Sequence, residues 1–140
     1  MTAFEVDAFI AADPAQVWAI LTDGRRLVAG DLGVLRVDGV IAPGRKIRLW
    51  SEASPSRPFD LKVCVFDPPR TMTWEGGMPF GLFKGVRTFT LQAENGGVRF
   101  QMHEAFSGPL APMIVKSIPD LTPSFRKFAA GLKKLTEETA

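Results

Sequence analysis

The stretch that most constrains the fold is residues 83–106, which is predicted to form one long β-hairpin closed at Asn95-Gly96. Asn-Gly is typical of a two-residue type I′ turn, because both central positions need a positive φ. If Glu94 faces Gly97 across this turn, counting back along both strands fixes every other partner. The predicted pairs are Leu91 with Phe100, Phe89 with Met102, Arg87 with Glu104, Gln92 with Arg99, Thr90 with Gln101, and Thr88 with His103.

This register gives the hairpin one apolar and one polar face, as a half-solvated antiparallel sheet requires. Arg87 and Glu104 are the exception, because they face each other on the apolar side. Taking both charges out of water is costly, so a pair kept there indicates a use, such as orienting a polar group of a ligand. The alternative is structural, since partly wet cross-strand ion pairs are common near a cavity mouth.

Length and composition indicate a single globular domain over residues 1–140, with 46% hydrophobic and 23% charged residues. The net charge is only +2 and the basic residues are scattered, so a nucleic-acid partner is not expected. The single Cys64 excludes an internal disulfide and is interpreted as a small packed residue of a strand. The sequence shows no signal peptide and no membrane span, so we expect a cytoplasmic protein.

The N-terminal part is predicted to contain a strand and a well-capped helix. Residues 4–10 alternate between apolar and polar side chains. Asp13 then provides a cap, Pro14 suits the first helical position, and Gln16 completes a capping box. The helix is expected to end at Asp23-Gly24, where the glycine can take the left-handed conformation, and residues 25–30 are expected to add a short helical piece.

The middle of the chain is predicted to be a series of antiparallel strands. Residues 51–58 contain two prolines and three serines and are interpreted as a loop. In the following strand, Leu61, Val63 and Val65 are expected to face inward and Phe66 outward.

Residues 76–85 are predicted to form a long glycine-rich loop between two strands. The loop carries Met78, Phe80 and Leu82, which favours a mobile gate over a cavity. The alternative is a loop whose apolar residues pack into the core. A phosphate-binding loop is not favoured, because neither a Gly-Lys-Ser/Thr ending nor a helix follows.

The C-terminal part is predicted to be an amphipathic helix that begins at Thr122-Pro123. Its apolar residues recur at helical spacing, and they are Phe125, Phe128, Leu132 and Leu135. The concave face of the sheet is the large apolar surface left to receive them. The predicted fold is therefore α+β and of the helix-grip type, a curved antiparallel sheet wrapped around a long C-terminal helix with a cavity between them.

Three stretches resemble the START-like, or SRPBCC, helix-grip superfamily, and in particular its small bacterial polyketide cyclase/dehydrase-like branch. They are residues 14–23, residues 74–77 with 81–87, and residues 104–108. The resemblance covers almost the whole chain and implies a small hydrophobic molecule between sheet and C-terminal helix. It transfers no catalytic residue, because the superfamily includes carriers, sensors and enzymes.

Two function classes follow. The first is binding or transport of a hydrophobic ligand, such as a lipid, quinone or polyketide-like molecule. The second is a polyketide cyclase or dehydratase that uses the Arg87–Glu104 pair for proton transfer, with Glu104 as the acid once the ligand engages Arg87. The predicted ligand-binding residues are Trp74, Arg87, Phe89, Leu91, Phe100, Met102, Glu104, Phe125 and Phe128. A third possibility is that side chains fill the cavity and the domain acts through a protein partner.

Other chemistries have no support in the sequence. His103 is the single histidine and is predicted to face outward, so neither a metal site nor a Ser/His/Asp triad is expected. We therefore expect no metal and no cofactor. The oligomeric state is left open between monomer and homodimer.

Overall fold

The computed structural model describes residues 3–139, which form a seven-stranded antiparallel sheet and four helices. The strands are β1 (Ala3–Ile10), β2 (Val34–Asp38), β3 (Lys46–Ser51), β4 (Ser54–Asp67), β5 (Thr71–Met78), β6 (Phe83–Glu94) and β7 (Gly97–Ser107). The helices are α1 (Pro14–Leu21), α2 (Gly24–Ala29), α3 (Ala111–Val115) and α4 (Thr122–Thr139), and a 3₁₀ turn spans Pro79–Gly81.

The sheet curls into a half-barrel with the strand order β1-β7-β6-β5-β4-β3-β2, and α4 packs on its concave face. Each strand after β1 pairs with the next one in the chain, and β7 returns to pair with β1. The buried residues of α4 include Phe125, Phe128 and Leu132, which join the core of the sheet. The predicted helix-grip fold is confirmed.

The central hairpin has the predicted register at every position. Glu94 faces Gly97, and the pairing continues through Arg87 with Glu104 to Lys84 with Ser107. Gly96 adopts a φ of 84°, as the turn requires. A two-residue turn leaves no freedom to slip by one residue without exposing the apolar face.

The first helix is confirmed, but its predicted end is wrong. Gln16 accepts a hydrogen bond from the Asp13 N–H at 2.9 Å, which is one half of the predicted capping box. Gly24 begins α2 and does not close α1 in a left-handed conformation. The reason is that the Asp23 carboxylate accepts from the N–H groups of Arg25 and Arg26 and so caps a new helix.

The predicted loop at residues 51–58 is wrong, because β3 and β4 form a tight hairpin there. Ser51 pairs with Ser54 and Leu49 with Phe59. Residues 55–58 therefore bulge opposite a single residue of β3. Both prolines of the segment lie in this bulge, where their lack of an N–H breaks no regular pairing.

A second bulge in β4 corrects the predicted facing of two residues. Val63 pairs with Trp74 and Phe66 with Met72, so β4 has one extra residue between them. The parity reverses, and Phe66 turns inward against Trp18, with ring centroids 5.2 Å apart. Val65, predicted to face inward, is 48% exposed. Cys64, predicted to be packed, is also exposed.

Candidate functional site

A cavity of about 590 Å³ lies between the concave face of the sheet and α4. Six of the predicted ligand-binding residues line it, and these are Trp74, Arg87, Met102, Glu104, Phe125 and Phe128. The exposed lining residues belong mainly to β4 and to the segment between α3 and α4. The cavity therefore opens between these two elements.

A row of paired residues crosses the cavity wall. Trp74 on β5 pairs with Arg87 on β6, which pairs with Glu104 on β7. Because directly opposed residues of antiparallel strands project to the same face, all three side chains belong to the concave side. Trp74 is buried, and among residues 3–139 its Nε1 has no hydrogen-bond acceptor. Its indole packs edge-on against Phe89, with centroids 4.7 Å apart.

Arg87 and Glu104 form the ion pair that the register predicts. Arg87 Nε donates to Glu104 Oε1 at 2.6 Å, and the two side chains are 24% and 15% exposed. The Arg87 guanidinium also lies over the ring of Phe125, with Cζ 4.9 Å from the centroid. Low exposure strengthens the attraction between the two charges, but it also removes water from both side chains. The surrounding protein groups therefore hold the pair in position in place of water.

The pair keeps hydrogen-bonding capacity for a further group. Within the described part of the chain, Arg87 donates only through Nε, and Glu104 accepts only through Oε1. An arginine has five N–H donors and an ionised carboxylate has two acceptor oxygens. The arrangement can therefore offer both donors and an acceptor to an uncharged polar group.

Three of the predicted ligand-binding residues do not line the cavity. Phe89, Leu91 and Phe100 share the concave face but are buried in the core. Phe128 of α4 covers two of them, with centroids 6.0 Å from Phe89 and 6.3 Å from Phe100. The cavity occupies only the part of the sheet face that α4 leaves uncovered.

The predicted gate segment is mostly strand. Gly76 pairs with Gly85, and Met78 pairs with Phe83, so only the short turn around Pro79–Gly81 connects β5 to β6. Met78, Phe80 and Leu82 are exposed and do not line the cavity.

Three glycines near this turn line the cavity together with Phe83. They are Gly76, Gly77 and Gly85. A Cβ on Gly85 would lie 3.3 Å from Phe106 and 3.7 Å from Glu104 Oε2. The absence of a side chain here leaves room beside the ion pair.

Sequence reasoning missed a group of lining residues on β3 and β4. They are Ser51, Ser54, Arg57, Phe59 and Leu61, the first three from the segment interpreted as a loop. The signal was the alternation of Arg57, Phe59, Leu61 and Val63, which continues one face of a strand through the prolines.

The remaining candidate groups lie away from the cavity. His103 pairs with Thr88 and has the outward parity that the register predicts. Cys64 is exposed, but partial desolvation, followed by a hydrogen bond with Glu75, raises the pKa of its thiol. No group of three or more His, Cys, Asp or Glu side chains in residues 3–139 could hold a metal ion. In that same range, no helix is long and apolar enough to cross a membrane.

The architecture defines a helix-grip protein with an internal cavity. Residues 1–137 match the family described as polyketide cyclase / dehydrase and lipid transport, and the chain belongs to this family. No curated protein matches the sequence significantly.

Solved structures show the same fold at low sequence identity. MLL2253 from Mesorhizobium loti is 19% identical with a TM-score of 0.76, and the match covers 99% of each chain. A protein from Rhodobacter sphaeroides is 20% identical with a TM-score of 0.73, covering 99% of this chain and 94% of its own. DynU16, from the dynemicin biosynthetic locus, is 16% identical with a TM-score of 0.70, and the match covers 98% of this chain and 48% of the DynU16 chain.

Proposed function

We propose that this protein binds or transports a small hydrophobic molecule, such as a lipid, quinone or polyketide-like compound, in the cavity between the sheet and α4. One observation carries the proposal: a cavity of about 590 Å³ with aromatic walls has the Arg87–Glu104 ion pair in its interior wall. Ligand pockets usually have this size and are apolar with a few placed polar groups.

In this proposal the apolar wall supplies affinity and the ion pair supplies orientation. Burial of apolar ligand surface against Phe125, Phe128 and Met102 is favourable at roughly 25 cal/mol per Å². A ligand hydroxyl or carbonyl next to Arg87 and Glu104 would use the donors and the acceptor that the pair keeps free. Family membership supports the same class of ligand.

The second candidate function is an enzyme of the cyclase or dehydratase type. A substrate oxygen that engages Arg87 would loosen the ion pair and leave Glu104 available for proton transfer. The observation that favours this candidate is that Glu104 borders the cavity and Gly85 leaves space beside its Oε2.

A matched pair of variants tests whether the cavity is the binding site. We expect the neutral fluorescent probe N-phenyl-1-naphthylamine to bind the wild type, and Leu61→Trp, which fills the cavity from its wall, to weaken binding at least ten-fold. Lys62→Trp adds the same side chain next to it in the sequence, where the residue is exposed and does not line the cavity, and should leave the affinity within two-fold. Equal affinities in the two variants would place the probe elsewhere and contradict the proposal.

Glu104→Gln separates the carrier from the enzyme. The substitution keeps the shape of the side chain and removes its ability to donate and accept a proton in turn. An enzyme that uses Glu104 would lose turnover of a polyketide-like substrate while binding of the probe stays within a few-fold. Turnover retained by the variant would exclude the enzymatic role of Glu104.

A further inference from the structure

Four charged residues line the cavity, and one of them, Arg57, forms no ion pair within residues 3–139. The four are Arg57, Asp60, Arg87 and Glu104. Arg87 and Glu104 neutralise each other at 2.6 Å. Asp60 is bound to Arg48 at 2.7 Å, and its side chain is 74% exposed. Within residues 3–139, Arg57 forms no ion pair, so the wall carries one uncompensated positive charge.

Arg57 lies where the cavity opens. It lines the cavity from the bulge of β4 and is exposed, as is Ser117 in the segment between α3 and α4. The carboxylate of Glu52, in the nearby β3–β4 turn, is bound to Lys127 at 2.6 Å. No carboxylate among the described residues forms an ion pair with the Arg57 guanidinium.

Four serine residues line the cavity together with this arginine. Ser51 and Ser54 come from the β3–β4 hairpin, and Ser117 and Ser124 from the segment between α3 and the start of α4. The Ser54 and Ser117 hydroxyls donate to the backbone carbonyls of Arg57 and Ile114, at 3.0 and 2.7 Å. The Ser51 and Ser124 hydroxyls donate to no group among the described residues, so they and the Arg57 guanidinium are available to a carboxylate or phosphate oxygen.

We propose that the ligand is an anionic amphiphile, whose carboxylate or phosphate binds Arg57 at the opening while its apolar body fills the cavity. This inference rests on the proposed function and adds the charge and the orientation of the ligand. The charged group stays at the opening, because an anion placed deeper would meet Glu104 in a drier environment. The deep ion pair receives only an uncharged oxygen of the ligand body.

The test compares two probes with the same ten-carbon chain, the anion decanoate and the neutral 1-decanol, by displacement of N-phenyl-1-naphthylamine. We expect Arg57→Gln to weaken decanoate roughly three- to ten-fold and to leave decanol within two-fold, because one partly exposed ion pair is lost. Arg45→Gln removes an exposed arginine that does not line the cavity and should change neither probe. The decanoate affinity of the wild type should fall with added salt, while that of decanol stays constant.

Several outcomes would overturn the inference without touching the proposed function. They are an unchanged decanoate affinity in Arg57→Gln, an equal loss for both probes, and a failure of decanoate to displace a dye that does bind. A dye that fails to bind the wild type would instead count against the proposed function itself. Decyl phosphate, which has the same chain length as decanoate, distinguishes the two headgroups in the same assay, since the tighter anion identifies the preferred one.

Discussion

Arg87 and Glu104 lie directly opposite each other on β6 and β7, and Arg87 Nε donates to Glu104 Oε1 at 2.6 Å on the concave face of the sheet. Neither charge has a second ionic partner among the described residues. The pair therefore acts as a unit, and removing one member leaves the other partly buried and uncompensated.

The first prediction concerns this coupling. Arg87→Met should destabilise the protein by about 2 kcal/mol, because it strands the Glu104 carboxylate. The double variant Arg87→Met/Glu104→Leu should recover most of that loss, since no unpaired charge remains. Urea unfolding of the two single variants and the double variant measures the coupling. A double variant as unstable as the sum of the single losses would show that the pair is not coupled.

The second prediction concerns Gly131 in the middle of α4. Alanine normally stabilises a helix by roughly 1 kcal/mol relative to glycine. Here a Cβ would collide with the Asp31 carbonyl oxygen, a backbone atom that cannot rotate away. Gly131→Ala should therefore destabilise the protein by about 2 kcal/mol or more.

A neighbouring position provides the control for this close approach. Ala130 is exposed on the same helix, so Ala130→Gly should cost only about 1 kcal/mol of unfolding free energy through helix propensity. Thermal unfolding of both variants compares the effect of close packing at residue 131 with the effect of helix propensity at residue 130. Greater stability of Gly131→Ala than of the wild type would contradict the tight contact between α4 and the chain at Asp31.

The third prediction is a pH dependence at Glu137. Its carboxylate accepts from the Ala11 N–H and from Lys133 Nζ, both at 2.8 Å, and these bonds lower the pKa of Glu137 below its ordinary value of 4.5. A lowered folded-state pKa contributes stability above the unfolded pKa, and this contribution is lost as the pH falls through the folded pKa.

Glu137→Gln should accordingly lower the unfolding free energy by about 1 kcal/mol at pH 7, where the partly exposed carboxylate is charged. The difference from the wild type should shrink below pH 4.5 as the native carboxylate takes up a proton. Urea unfolding between pH 3 and pH 7 measures it. A difference that stays constant across this range would show that the charge of Glu137 does not matter.

The fourth prediction concerns Phe80, a non-glycine residue with a φ of 61° whose side chain is 97% exposed. Because the side chain contacts little, the stability of variants at this position should depend mainly on how well the new residue adopts the backbone conformation of the turn. Phe80→Gly should be more stable than Phe80→Ala by about 1 kcal/mol, since only glycine takes the left-handed region freely. Equal stability, or a more stable alanine variant, would contradict this backbone conformation.

The sequence predicts the central hairpin completely because one turn dipeptide fixes its register. Asn95-Gly96 permits few turn geometries, and each pair from Glu94 back to Arg87 follows by counting. The same logic fails in β4, where bulges insert residues at 55–58 and before Phe66. No local signal in the sequence marks a bulge, and one extra residue reverses every later side chain.

The cavity could be predicted only in part. Strand parity shows which face of the sheet a side chain is on, but it does not show whether another element covers that side chain. Arg87, Glu104, Phe89 and Phe100 share the concave side, yet Phe128 covers the last two and leaves the first two at the cavity. Where α4 crosses the sheet depends on long-range packing such as the contact at Gly131. The position of α4 on the sheet therefore depends on tertiary contacts, which the periodicity of the sequence does not reveal.

The most direct test of the cavity as the binding site is methyl NMR of the methionines during titration with N-phenyl-1-naphthylamine. Met102 lines the cavity, Met72 is buried in the core, and Met113 is exposed. The account predicts that the aromatic rings of the probe shift the Met102 methyl resonance and leave that of Met113 in place. A probe that binds while the Met102 resonance stays unchanged would contradict the account, because the ligand would then lie outside the cavity.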